Sequence, residues 1–182
     1  LHVFIQNTIK QAGFAFNDLD AIAVSMGPGS YTGLRIGVSA AKGLCYALSI
    51  PLVAIDTLEV LARKVTVQNN QLIIPLIDAR RMEAYTAVFD HSYNKLKNTE
   101  AEIIISDSFA EFEGKLHLVG DGAEKCKNIL SGENYIYYGN VLFPSAREMC
   151  KLSEDKIKIG DTVDVAYFEP FYLKDFIAGK KL

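Results

Sequence analysis

The sequence is short of the side chains that build disulfide scaffolds, metal centres and hydrolase active sites. Its three cysteines, Cys45, Cys126 and Cys150, lie far apart, are odd in number and form no CxxC pair. That argues against a disulfide framework or a zinc site and fits a reducing, cytoplasmic compartment. The three histidines, His2, His91 and His117, include no HxxxH or HExxH pair, so a metallopeptidase has no visible ligands. Ser30 sits in Gly-Pro-Gly-Ser-Tyr rather than GxSxG and supports no serine-hydrolase elbow. No stretch of about 18 apolar residues is present, so no helical span of a bilayer is expected. Basic residues form no block, and 19 Lys and Arg against 22 Asp and Glu leave a net charge of −3. Nucleic-acid binders draw most of their affinity from phosphates neutralised by a basic patch, so this chain alone is poorly equipped to hold one strongly.

What is present is an ordinary globular composition, 182 residues of which 49% are hydrophobic and 23% charged. A chain of that length buries roughly 70% of its unfolded surface, as one domain or two small ones. Leu1, Phe4, Ile5, Ile9 and Ala12 recur at helical spacing, with Gly13 as a C-cap. This segment is too polar for a signal peptide (Gln6, Asn7, Lys10, Gln11) and starts on Leu rather than Met. It reads as a helix already under way, so further residues are expected upstream of Leu1. Ala21 to Met26 suits a buried strand, and Gly27-Pro28-Gly29 turns sharply. Ser30 or Thr32 caps a helix from about Gly33 to Leu48, which Pro51 stops. Leu52 to Ile55 is a second buried strand, and Asp56 or Thr57 caps a helix to about Thr66. Two strands, each feeding a helix, predict a parallel α/β arrangement.

Polar Gln68 to Gln71 reads as a linker that divides the chain into residues 1–67 and 68–182. Beyond it, Leu72 to Asp78 and Glu83 to Phe89 are strands joined by a hairpin at Ala79 to Met82. Ile103 to Ile105, Leu116 to Val119 and Tyr135 to Tyr138 are shorter strands. Phe109 and Phe112 fall on a short helix, Ala123 to Leu130 on another, and Ser145 caps a third that runs to about Glu154. The aromatic tail, Ala166 to Phe176, is expected to be extended.

Three segments carry candidate chemistry. The first is Gly27-Pro28-Gly29-Ser30-Tyr31-Thr32-Gly33, a glycine-rich turn between a strand and a helix, where backbone N–H groups and the helix dipole favour anions. Gly27, Gly29, Ser30 and Thr32 are its phosphate-contact candidates. The spacing is neither a P-loop nor GxGxxG, and it equally suits a tight turn that lets helix and sheet approach closely. The second is the following helix, which carries two apolar stripes. Leu34, Val38, Ala41, Cys45 and Leu48 form one; Ile36, Ala40, Leu44 and Ala47 form the other. Such a helix must be covered on two sides, by the sheet and by a neighbouring helix or another chain. The third is Asp78-Ala79-Arg80-Arg81-Met82-Glu83, which suits a hydrogen-bonded turn better than a catalytic cluster. Gly120-Asp121-Gly122 reads as a turn before a helix.

The run Ala21-Ile22-Ala23-Val24-Ser25-Met26-Gly27-Pro28-Gly29-Ser30-Tyr31-Thr32-Gly33-Leu34-Arg35-Ile36-Gly37 resembles the signature of the TsaB (YeaZ) family. The likeness continues through Ala41-Lys42-Gly43-Leu44, Pro51, Asp56-Thr57-Leu58, Ile74 to Arg80 with Glu83 and Tyr85, Pro144-Ser145-Ala146, and Glu169 to Leu173. The resemblance implies an actin-like ATPase (ASKHA) α/β fold of two ribonuclease-H-like halves, the first incomplete here because its leading strands should precede Leu1. It implies a non-catalytic scaffold subunit that binds the paralogous enzyme TsaD. That enzyme threonylcarbamoylates the tRNA adenosine 3′ to the anticodon. A TsaE-type ATPase joins the assembly, and tRNA is reached only through the complex. No cofactor is expected in this chain, ATP belongs to the level of the complex, and a homodimer is allowed when the chain is alone. The helices at 1–12 and 33–48 would pack against their counterparts in the partner, nominating Leu1, Ile5, Ile9, Arg35, Val38, Ala41 and Cys45 as interface. The rival readings are a small-molecule kinase or ATPase of the same fold, with Asp78 holding Mg²⁺, and, far behind, a metallopeptidase.

Overall fold

The computed structural model describes residues 1–174. It divides into two compact units, Leu1–Asp56 with Met149–Phe171, and Thr57–Glu148 with the stretch that begins at Tyr172. The first break thus falls at 56/57, where the sequence suggests 67/68. Residues 57–67 go with the second unit because Leu58, Leu61, Ala62, Val65 and Val67 are packed in its core. Residues 149–171 return to the first unit, where Val163 bridges to Leu52 and packs with Val165 and Phe168 on the core.

In the first unit, helix α1 (His2–Gln11) ends at Gly13, whose φ of +78° lets the chain turn while the Phe14 N–H donates to the Ile9 carbonyl. Strands β1 (Ile22–Gly27) and β2 (Leu52–Asp56) pair in parallel, Ile22 opposite Leu52 and Ser25 opposite Ile55, as the sequence predicts. Between them runs α2 (Tyr31–Leu48). It starts because the Ser30 Oγ accepts the Gly33 N–H at 3.3 Å. It stops at Ser49, in the left-handed region at φ 55°, two residues before Pro51. Ala41 and Cys45 pack with Leu52, Ile22, Val24 and Ile50, and each fully buried aliphatic side chain in such a core stabilises by roughly 1.5–3 kcal/mol. Lys42 Nζ donates to the carbonyls of Ala166 (3.1 Å) and Phe168 (2.9 Å), tying the returning segment to α2. That segment does not begin extended as expected. It turns about Asp164, whose Oδ1 accepts the N–H groups of Ala166 and Tyr167. Phe176 lies outside the described residues.

The second unit is built on a five-stranded sheet of order β5-β4-β3-β6-β7, preceded by α3 (Thr57–Ala62). Its strands are β3 (Gln71–Asp78), β4 (Glu83–Phe89), β5 (Lys95–Ile103), β6 (Lys115–Val119) and β7 (Tyr135–Tyr137). β3, β4 and β5 are antiparallel, and β3, β6 and β7 are parallel. The period of two buries both faces. Ile74, Leu76, Ala84, Leu116 and Leu118 meet Phe109, Cys126 and Leu130 on one side. Ile73, Ala87, Phe89 and Val119 meet Leu58, Leu61 and Val141 on the other. From Ala146 to Lys158 runs α4, which belongs to the first unit from Met149 onward. The Ser145 Oγ accepts the Arg147 N–H at its start, as expected of a cap.

Five expectations change here. α3 ends at Ala62 rather than near Thr66, because the chain tightens into i→i+3 turns (Lys64 N–H to Leu61, Val65 N–H to Ala62) that drop Val65 and Val67 into the core. Of the strand expected at 103–105 only Ile103 is in a strand, as the last residue of β5, a nine-residue edge strand. Its polar residues hid it, and charged side chains are what keep a sheet edge from pairing with other chains. The segments around Phe109 and 123–130 are not α-helices. Residues 106–111 are successive turns, with Phe109 at φ 69° and fully buried, and Glu124–Cys126 is a single 3₁₀ turn. α4 runs one turn past Glu154, extended by i,i+4 pairs of Lys151 with Asp155 and Lys158 with Glu154.

His117 on β6 is 6% exposed and lies in a fixed polar setting. Gln71 Oε1 accepts the Gln68 N–H at 3.1 Å, which fixes its amide as an acceptor. His117 Nε2, 3.1 Å from that oxygen, is therefore the protonated nitrogen, and Nδ1 accepts the Tyr138 hydroxyl at 3.0 Å. Burial lowers the His117 pKa. Below pH about 6.5 the unfolded chain takes up a proton that the folded imidazole refuses, so stability falls as pH drops through that value. We expect urea midpoints to fall between pH 7.5 and pH 5, and His117→Gln to shrink that difference. An equal fall in the variant would assign the acid sensitivity to other groups.

Candidate functional site

The two faces of α2 have different fates. Val38, Ala41 and Cys45 are buried, and Cys45 is 1% exposed with its thiol pKa raised by desolvation. These three nominated interface residues are core, and they correct the expectation. Only the crossover from β1 to β2 decides which stripe meets the sheet, and both stripes are apolar. The outward face is made by Arg35, Ile36, Ser39, Gly43, Tyr46 and Ala47. A Cβ added at Gly37 or Gly43 would meet nothing within 4 Å, so another backbone can come close there. Arg35 lies over the Tyr31 ring at 5.1 Å.

α1 supplies the rest of this surface. It contains no buried residue. Phe4 is 76% exposed, Ile36 on α2 is 55% exposed, and Leu1 and Val3 are also exposed; Ile5 and Ile9 are half-buried. His2 of α1 lines one open groove together with Arg35, Ile36, Ala40 and Leu44 of α2. A ten-residue helix is marginal alone in water, and one that leaves Val3 and Phe4 in solvent, with Leu1 exposed at its cap, forms with α2 an apolar patch of the kind that marks an interaction site. The second stripe of α2 was the sequence signal for it.

The glycine-rich loop is accounted for by packing at two of its four candidate positions. Gly27 has φ +118°, and a Cβ there would sit 2.7 Å from the Phe171 carbonyl oxygen. The Phe171 N–H also donates to Met26 O at 2.7 Å, so chain lies directly against chain. Ser30 spends its hydroxyl on the α2 cap. Gly29 has open space where a side chain would stand, and Thr32 is exposed.

The Asp78–Glu83 segment is the expected hairpin turn, but its partners differ from those the sequence suggests. Asp78 Oδ1 accepts the backbone N–H of Arg80 at 2.9 Å and the Lys125 ammonium, and Asp121 Oδ1 accepts the Asp78 N–H at 3.0 Å. Desolvation raises the Asp78 pKa, but the Lys125 hydrogen bond and the Arg80 N–H outweigh it and hold the carboxyl below its usual range. Lys125 also donates to the carbonyls of Arg81 and Glu83, and Lys174 pairs with Glu83. Both lysines are far off in sequence, which is why the motif alone did not show them. Asp78 is thus committed to the turn, which weakens the case for it as a Mg²⁺ ligand.

The model of the family described as TsaD, tRNA N6-adenosine threonylcarbamoyltransferase, matches residues 1–177. The chain is 30% identical over 186 residues to the tRNA threonylcarbamoyladenosine biosynthesis protein TsaB of Escherichia coli (strain K12), covering 98% of this chain and 80% of that protein. It is 30% identical over 179 residues to the protein of the same name from Bacillus subtilis (strain 168), covering 93% and 76%. Among solved structures it is similar to YeaZ from Pseudomonas aeruginosa, with a TM-score of 0.80 and 23% identity over 93% of this chain and 80% of that one. The likeness shows the actin-like α/β fold.

Proposed function

Because the chain belongs to the TsaB (YeaZ) family, we propose that it serves tRNA threonylcarbamoyladenosine biosynthesis as a non-catalytic subunit that docks a TsaD-type transferase. The observation that carries this reading is the apolar surface of α1 and the outer face of α2, where Phe4, Val3 and Ile36 stand in solvent. The partner surface that fits it is a pair of like helices. A paralogue of the same fold presents such helices in the equivalent place, and the open space at Gly37 and Gly43 permits close helix–helix approach. The catalytic machinery then resides in the transferase, and tRNA meets this chain in the assembled complex.

The test is size-exclusion chromatography with light scattering on the chain mixed with a TsaD-type transferase from the same organism. We expect a stable one-to-one complex, with threonylcarbamoyl transfer only when both chains are present. Separate elution of the two chains, or transfer by this chain alone, would overturn the reading.

A further inference from the structure

Tyr31, Arg35, Lys42 and Tyr46 follow one another along α2 at helical spacing, which puts them on one line of the helix, within about 60° of each other. The returning segment 164–168, in the same unit, lies along this line because Lys42 Nζ donates to the carbonyls of Ala166 and Phe168. Tyr167 is held between those two bonded carbonyls. Its own N–H donates to Asp164 Oδ1 at 3.0 Å, and the Phe168 N–H donates to Asp164 O at 2.9 Å. Val165 and Phe168 pack on the core of the unit. The Tyr167 side chain does not. It is 84% exposed, as is Tyr46 one turn beyond Lys42.

A large side chain on so firmly bonded a backbone is already positioned for contact. A partner that covers it orders only two side-chain torsions and gains a wide aromatic surface. Tyrosine and arginine are also the residue types that dominate interface energetics. Here Arg35, over the Tyr31 ring, stands at one end of the line and Tyr46 at the other.

The extent of the docking face decides what meets this line. α1 is about 15 Å long and packed helices lie about 10 Å apart. In outline the helix pair therefore offers roughly 15 by 20 Å, about 300 Å². A stable, specific complex draws about 800 Å² from each partner. Arg35 lines the groove beside α1 and also begins the line that ends at Tyr46, about 16 Å further along the axis. A chain seated on the groove gains the surface it needs by continuing over Tyr46 and Tyr167.

From this we infer that Tyr46 and Tyr167 are anchors by which the transferase holds this chain beyond the helix pair. The inference rests on the docking proposed above and extends it to the segment 164–168, which helical periodicity does not reveal.

The experiment measures the affinity and dissociation rate of a TsaD-type transferase from the same organism for the native chain, Tyr46→Ala, Tyr167→Ala, the double tyrosine variant and Phe4→Glu/Ile36→Glu. Light scattering follows self-association of the same chains. Each tyrosine change is expected to weaken binding on the order of tenfold, and the pair about 100-fold, mainly through faster dissociation. Melting temperatures should stay at the native value, since both side chains are exposed. Native affinity in the double tyrosine variant, with binding lost in the helix variant, overturns this inference and leaves the docking reading standing. Weaker binding together with a lowered melting temperature makes the tyrosines structural and overturns it as well. So does native affinity for the transferase with loss of self-association, which assigns the tyrosines to a second copy of the chain. Failure of the native chain to bind removes the docking reading, and this inference with it.

Discussion

A chain carrying Phe4→Glu and Ile36→Glu is expected to elute alone beside a TsaD-type transferase, with its melting temperature within about 1 °C of the native value. Both side chains are largely in solvent, Phe4 on α1 and Ile36 on the outer face of α2, so replacing them leaves the core of the first unit intact. At an interface the same two positions become the buried anchors. Removing apolar anchors of this kind costs about 2–4 kcal/mol each, and a carboxylate placed among apolar groups adds its own desolvation penalty. With tenfold in affinity per 1.4 kcal/mol, the double variant should bind at least about 100-fold more weakly. Ala41→Glu is the informative contrast. Ala41 is buried with Cys45 and Leu52, so the change should unfold the first unit and says nothing about docking. An unchanged complex with the double variant would place the partner on another face.

The largest effect on stability is expected from Gly120→Ala. Gly120 follows β6 at φ +109°, and an added Cβ would lie 2.2 Å from the Leu76 carbonyl oxygen and 2.8 Å from a methyl of Leu61. The Leu61 methyl can rotate away, but the carbonyl belongs to the central strand β3 and accepts the Gly122 N–H at 2.9 Å. The Gly120 N–H is also bonded to Val141 O at 2.7 Å, so the backbone cannot retreat without breaking that bond. A side chain at such a φ costs about 1–3 kcal/mol, and the backbone clash adds more. We expect a destabilisation of about 4 kcal/mol, a fall in melting temperature on the order of 10 °C. Gly29→Ala, with open space at its Cβ, should melt like the native chain and serves as the control. Equal melting of both variants would mean that the 120–122 turn gives way more easily than its hydrogen bonds imply.

Much of the architecture was legible in advance because it rests on local pattern. The apolar run at β1, the Ser30 cap and the apolar run at β2 predicted a parallel strand–helix–strand unit, and the chain forms one. The β3–β4 hairpin was equally plain, since two apolar strands flank a short polar turn. The nearly continuous polarity of β5 gave no such signal, because an edge strand needs only one covered side. The helices expected near Phe109 and Ala123 carried suitable residues, but tertiary packing pulls Phe109, Cys126 and Leu130 into one core and leaves room only for turns.

The sequence by itself determined the family and the existence of a doubly apolar helix, because both lie in the order and spacing of residues along one segment. Only the tertiary structure decided which stripe of α2 is core and which is surface. A helix with two apolar sides has no internal reason to prefer either, and the sheet it packs on makes the choice. The same holds for the hairpin. Its motif shows two acids and two arginines, but whether the acids neutralise the arginines depends on Lys125 and Lys174. Ion pairing follows distance in space, and the fold brings those lysines across more than 40 residues of chain to take the carboxylates, leaving Arg80 and Arg81 charged at the surface.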